Sequence, residues 1–120
     1  MTTLHLGLDL GGTNIKVATV AMTEDDFDVV STQSVDTEAA EGPEGVTANL
    51  IEVGRDALEQ GRPAMVGLGV PGHFDRATGR ILLFPNLPGE WKGFPLRDRV
   101  DAALGLETWM VNDARAFTLA

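Results

Sequence analysis

Residues 9–16 read DLGGTNIK, and they place one carboxylate, two glycines, a hydroxyl, an amide and an ammonium along one short stretch. Gly11 and Gly12 let backbone N–H groups come close to an anion. Thr13 and Asn14 add side-chain donors, and Lys16 adds a positive charge. A carboxylate such as Asp9 beside an anion site makes sense if it holds Mg²⁺ or its waters. Together these groups can cradle a polyphosphate. The stretch is not a Walker A loop, whose G-x-x-x-x-G-K-[ST] spacing is absent, nor the dinucleotide fingerprint G-x-G-x-x-G. An ordinary glycine hairpin with a solvated lysine has the same spacing, and spacing alone does not separate the two. A second candidate is VND at residues 111–113. Either Asn112 or Asp113 suits a helix N-cap, and a carboxylate at a helix N-terminus tends to stay ionised.

The surrounding sequence predicts the elements that hold these residues. TLHLGLDL alternates apolar residues at Leu4, Leu6, Leu8 and Leu10, the period of a strand. IKVATVAM reads as its hairpin partner, with the glycines expected to supply the positive φ of a tight turn. TEDDFD is a polar turn and FDVVSTQSV a third strand. The pattern then becomes helical. Val46, Leu50, Val53 and Ala57 share one face, between Pro43 at the start and Gly61 at the end. AMVGLGV is apolar on both faces, as in a buried parallel strand. PGHFDRATGRILLF reads as a turn, a loop and a strand. FPLRDRVDAALG is a second helix closed by Gly105, LETWMVN a last buried strand, and DARAFTLA the start of a further helix. That helical pattern reaches Ala120 with no capping glycine, so the chain reads as part of a longer one.

The predicted fold is α/β: a mixed sheet of three antiparallel strands followed by parallel strands, with helices packed on it. Right-handed crossovers would bring the ends of the GVPG and VND segments beside the first hairpin. Ligands of open α/β sheets bind at that edge.

Composition narrows the function classes. The 120 residues are 43% hydrophobic and suit one folded domain. The net charge of −9 and the lack of a basic patch argue against nucleic acid as a partner. No apolar run approaches the ~18 residues of a membrane span. No basic start precedes an apolar stretch, so no signal peptide is visible. The absence of cysteine fits a cytoplasmic location.

Four segments together carry a family resemblance. DLGGTNIKVATV resembles the phosphate hairpin of the actin-like ATPase and sugar kinase superfamily, in the D-x-G-G-T-x-x-K form of the ROK family (repressor, open reading frame, kinase). GLGVPGHFDRATGRI is similar to that family's G-x-G-x-P-G segment with its acidic turn. FPNLPGEWKGFPLRDRV resembles its P-N-L…W…P-L stretch, and GLETWMVNDARAFTLA its N-D-A-x-x-x-A-x-A segment. Glu107-Thr108 stands where the family often has Pro-Val.

The resemblance implies an RNase H-like lobe of a glucokinase-like enzyme, whose activity is ATP-dependent phosphorylation of a hexose, glucose first. It implies ATP and Mg²⁺ held by Asp9, Gly11, Gly12, Thr13, Asn14 and Lys16. It makes Asp113 the catalytic base for the sugar hydroxyl, and Gly72, His73, Asn86, Asn112 and Asp113 the sugar side. Asn112 can both donate and accept, which suits a pair of hydroxyls. Residues 1–120 would form the N-terminal lobe. A C-terminal lobe would bring the adenosine pocket, further sugar contacts and any zinc site, so the 120-residue chain alone is expected to be inactive. A homodimer is expected of the full-length protein.

Other residues have plainer readings. Trp91 and Trp109 are expected in packing and not as sugar platforms. Asp75 is expected to stabilise its turn, and Glu24, Asp25 and Asp26 to form a solvated hairpin tip. Asn86 beside prolines also suits a turn, and His73 an exposed loop. Two rival functions remain: a sugar-sensing ROK transcriptional regulator, which would carry a winged helix ahead of the first strand, and an actin-like or chaperone-type ATPase.

Overall fold

A computed structural model describes residues 2–112. The helix expected from Asp113 onward lies outside the described residues. Three strands open the chain: β1 (Thr3–Leu10), β2 (Asn14–Met22) and β3 (Phe27–Asp36). Helix α1 (Gly42–Ala57) follows, then β4 (Met65–Val70). A small hairpin of β5 (His73–Phe74) and β6 (Ile81–Leu83) comes next, then α2 (Leu96–Leu104) and β7 (Thr108–Asn112). The main sheet has the order β3-β2-β1-β4-β7. β1 pairs antiparallel with β2 and parallel with β4, and β4 pairs parallel with β7. The predicted mixed sheet is therefore observed.

Strand period decides which side of the sheet is buried. Leu6, Leu8 and Leu10 of β1 point to one face and are 1% exposed or less. Ile15 and Val17 of β2 and Val66, Leu68 and Val70 of β4 join them. Both helices cover this face. α1 brings Val46, Leu50 and Val53, and α2 brings Leu96, Val100 and Leu104. The fully buried aliphatic residues each contribute about 1.5–3 kcal/mol of transfer free energy. The helix ends follow their glycines. α1 tightens into a 3₁₀ turn over Leu58–Gln60 before Gly61, and Gly105 ends α2 in the left-handed conformation at φ 67°.

The opposite face has glycines at its centre. Gly7 pairs with Gly67, and Gly67 with Trp109. Among the described residues no helix covers it. Trp109 stands on this face and is 55% exposed, which corrects its expected place in packing. The period of β7 is the reason: Thr108 and Met110 take the buried side, so Trp109 must take the other. Trp91 is buried as expected. It lies between Phe84 and Phe94, with ring centroids 4.9 and 5.5 Å away, and its indole N–H donates to the Pro88 carbonyl at 3.1 Å.

The segment between β4 and α2 was expected to hold one strand. It folds instead as a separate two-stranded hairpin, β5 and β6. Its turn is fixed by Asp75, whose Oδ1 accepts from the N–H groups of Ala77 and Thr78 at 2.8 and 3.2 Å. The Arg97 guanidinium donates to the carbonyls of Arg76 and Ala77 and so ties this turn to α2.

One ion pair joins the helices at the surface. Arg99 of α2 meets Glu44 of α1 at 2.6 Å and lies over the Phe94 ring at 5.2 Å. The hydrogen bond to Glu44, and then its charge, raise the Arg99 pKa. That contribution would be lost only at pH above the folded-state value, and arginine is fully charged throughout the ordinary range. Exposed pairs are worth little. We expect Glu44→Gln to move the thermal midpoint by no more than about 5 °C, as measured in a melt followed by circular dichroism.

Candidate functional site

The parallel strands β1, β4 and β7 all end at one edge of the sheet. In register, Asp9 lies beside Gly69, Gly69 beside Val111, and Val70 beside Asn112. The β1–β2 hairpin turns at this same edge. Its last strand pair is Leu10 with Ile15, and the Gly11 N–H donates to the Asn14 carbonyl at 3.0 Å.

Close approach, not positive φ, is what calls for glycine at Gly11. Neither Gly11 nor Gly12 has positive φ. A β-carbon on Gly11 would lie 2.8 Å from the Asn14 carbonyl oxygen, closer than packing allows. A β-carbon on Gly12 would lie 3.5 Å from the Asn86 Cβ and 3.6 Å from its carbonyl oxygen. Gly11 is the crowded member of the pair and keeps the turn narrow, whereas a β-carbon on Gly12 would make only ordinary van der Waals contact with Asn86. Among the described residues no acceptor takes the Gly12 or Thr13 N–H. Those donors, the Thr13 hydroxyl, the Asn14 amide and the Lys16 ammonium form a set suited to an anion.

Asp9 and Lys16 are cross-strand partners on the face opposite the helices. A concavity of about 830 Å³ runs over that face and reaches both of them. Among the described residues no cluster of three His, Cys, Asp or Glu could hold a metal alone. Mg²⁺ is commonly held by one or two carboxylates together with substrate phosphates, and Asp9 supplies one carboxylate at this edge.

The residues on the other side converge on the same edge. The Asn112 side-chain amide donates to the Gly72 carbonyl at 2.6 Å, which ties the end of β7 to the turn after β4. Gly72 itself is packed tightly. A β-carbon there would lie 2.1 Å from the Leu83 carbonyl oxygen and 2.9 Å from Phe84 Cδ1. His73 follows at the exposed start of β5. Asn86 is exposed and sits against Gly12. The structure thus brings Gly12 to Asn86 and Gly72 to Asn112. Asp113 is outside the described residues, one residue beyond the end of β7.

One further residue at this edge belongs to no motif of the sequence. Thr37, just past β3, is fully buried. Its hydroxyl donates to the Gly11 carbonyl and its N–H to the Thr13 carbonyl, both at 2.8 Å. The Asn49 side chain of α1 donates to the Thr37 carbonyl at 3.2 Å and to Glu41 Oε1 at 3.0 Å. Glu38 follows in the left-handed conformation at φ 55°, a strain of about 1–2 kcal/mol for such a residue. A threonine at a strand end gives no periodic signal by itself.

Comparison with known proteins places this arrangement. The glucokinase of Thermotoga maritima is 32% identical over 114 residues, covering 95% of this chain and 35% of its own length. A putative xylose repressor of Caldicellulosiruptor sp. is 26% identical over 97% of the chain and 29% of its own length. Among solved structures, the ROK hexokinase from Thermus thermophilus superposes with a TM-score of 0.73 at 34% identity, over 93% of this chain and 35% of that one. The chain spans about a third of the length of these relatives. The ROK family matches residues 5–120, and the chain belongs to that family.

Proposed function

We propose that this chain is the N-terminal lobe of an ATP-dependent hexose kinase, with glucose as its first substrate. The observation that carries the reading is the meeting of two sets of groups at one sheet edge. The anion donors of the glycine hairpin stand against Asn86, while Asn112 and Gly72 join at the ends of the neighbouring strands. The similarity to glucokinases supports the choice of sugar. A second lobe in the full-length protein would close the site, exclude water and limit wasteful hydrolysis of ATP.

The roles follow from the chemistry of each group. The Gly12 and Thr13 N–H groups, the Thr13 hydroxyl, the Asn14 amide and Lys16 hold the phosphate chain of ATP. Asp9 would hold Mg²⁺ or its waters, and the ion when bound would offset phosphate charge. Asn86 and Asn112 orient the sugar, with Gly72 and His73 beside it. Asn112 uses its amide on Gly72 and keeps its oxygen as an acceptor for a hydroxyl. Asp113 accepts the proton of the attacking hydroxyl. The new bond joins that oxygen to the γ-phosphorus, and the bond to the bridging oxygen of the departing ADP breaks. Positioning carries more of the rate than basicity in such a transfer.

The test is ADP release by the full-length protein with Mg²⁺-ATP and a panel of glucose, N-acetylglucosamine, N-acetylmannosamine, fructose and allose. Release with glucose ahead of the others is expected. Release with another hexose alone would correct the substrate, and none with any sugar would overturn the kinase reading. A sugar-sensing regulator is the second reading, favoured by the similarity to the xylose repressor. Sugar-induced thermal stabilisation without ADP release would identify it.

A further inference from the structure

We infer that Thr37 is the positioning residue of the glycine hairpin, aiming its amide edge at the phosphate chain. The inference rests on the kinase reading of the site. Thr37 lies outside every segment that contributes a phosphate or sugar group, yet both of its donors are spent on the hairpin tip. The hydroxyl takes the Gly11 carbonyl and the N–H takes the Thr13 carbonyl.

Peptide planarity gives these bonds their consequence. A C=O and the N–H of the next residue belong to one rigid plane and point in opposite directions. Holding the Gly11 oxygen toward Thr37 therefore turns the Gly12 N–H away from Thr37. Holding the Thr13 oxygen does the same for the Asn14 N–H. Glycine at two tip positions leaves the backbone with wide conformational freedom, so an external clamp is what fixes one orientation. Thr37 is itself fixed from α1 through Asn49. The next residue, Glu38, takes the left-handed conformation.

The experiment compares Thr37→Val and Thr37→Ser in the full-length protein. Valine matches the shape and removes the hydroxyl donor, whereas serine keeps it. KM for ATP, KM for glucose and kcat are measured, together with Mg²⁺-ADP binding by calorimetry. Thr37→Val is expected to raise KM for ATP and to weaken Mg²⁺-ADP binding about tenfold. KM for glucose should stay within about twofold, and Thr37→Ser should restore nucleotide binding. A lowered thermal midpoint with unchanged nucleotide binding would make Thr37 merely structural and overturn the inference. So would failure of serine to rescue. If Thr37→Val does not fold, Asn49→Ala releases the same clamp from its exposed side. A selective rise in KM for ATP then supports the inference, and no change overturns it. An active kinase indifferent to Thr37→Val sinks the inference alone. A protein that binds Mg²⁺-ADP in a Thr37-dependent way but phosphorylates no sugar sinks the kinase reading and leaves the inference standing.

Discussion

Replacing Asp113 by asparagine in the full-length protein should lower kcat for sugar phosphorylation by about 10²–10⁴-fold, the usual contribution of a positioned proton acceptor. KM for ATP should move little, because the groups proposed to hold the phosphates belong to the β1–β2 hairpin. Asparagine matches aspartate closely in size and shape, so the thermal midpoint should hold, and steady-state kinetics beside a thermal melt separate chemistry from folding. Near-normal turnover in Asp113→Asn would remove this residue from the mechanism. Asn112→Ala should act differently. It deletes the amide bonded to the Gly72 carbonyl at 2.6 Å, so both KM for the sugar and the placement of the Gly72 turn should suffer.

The second large effect is expected at Gly72. Its φ is not positive, so an alanine there faces no backbone penalty of handedness. The obstacle is packing: the new β-carbon would fall 2.1 Å from the Leu83 carbonyl oxygen, a backbone atom that cannot swing aside like the end of a side chain. β5 must then separate from β6, or the Asn112 bond must break. Gly72→Ala should cost about 1–3 kcal/mol or more, read as a fall of several degrees in thermal midpoint. Sugar affinity should fall with it, since His73 adjoins Gly72 and the Asn112 amide is bonded to the Gly72 carbonyl. A Gly72→Ala protein with wild-type stability and unchanged KM for the sugar would show that the close approach carries no constraint.

Much of this architecture is legible in the residues because a single period rules each element. Alternating leucines from Leu4 to Leu10 announce β1, and Val46, Leu50 and Val53 announce the buried face of α1. The glycine pair announces a special hairpin. The reason for Gly11 is not legible, because crowding against the Asn14 oxygen exists only after folding. Thr37 is hidden for a similar cause: its partner Gly11 is 26 residues away. Trp109 misleads because a large aromatic residue is usually buried, whereas strand period sends it to the glycine-lined face. The β5–β6 hairpin is too short to announce itself, and its stability comes from Asp75, Arg97 and the packing of Ile81.

The most direct measurement follows the phosphoryl group itself. The full-length protein is given ATP labelled at the γ-phosphate, with Mg²⁺ and with or without glucose, and the products are separated. The account predicts that label appears in glucose phosphate, and that little is released as inorganic phosphate when sugar is absent. Label going to inorganic phosphate regardless of sugar, or no transfer despite sugar-induced stabilisation, would contradict it.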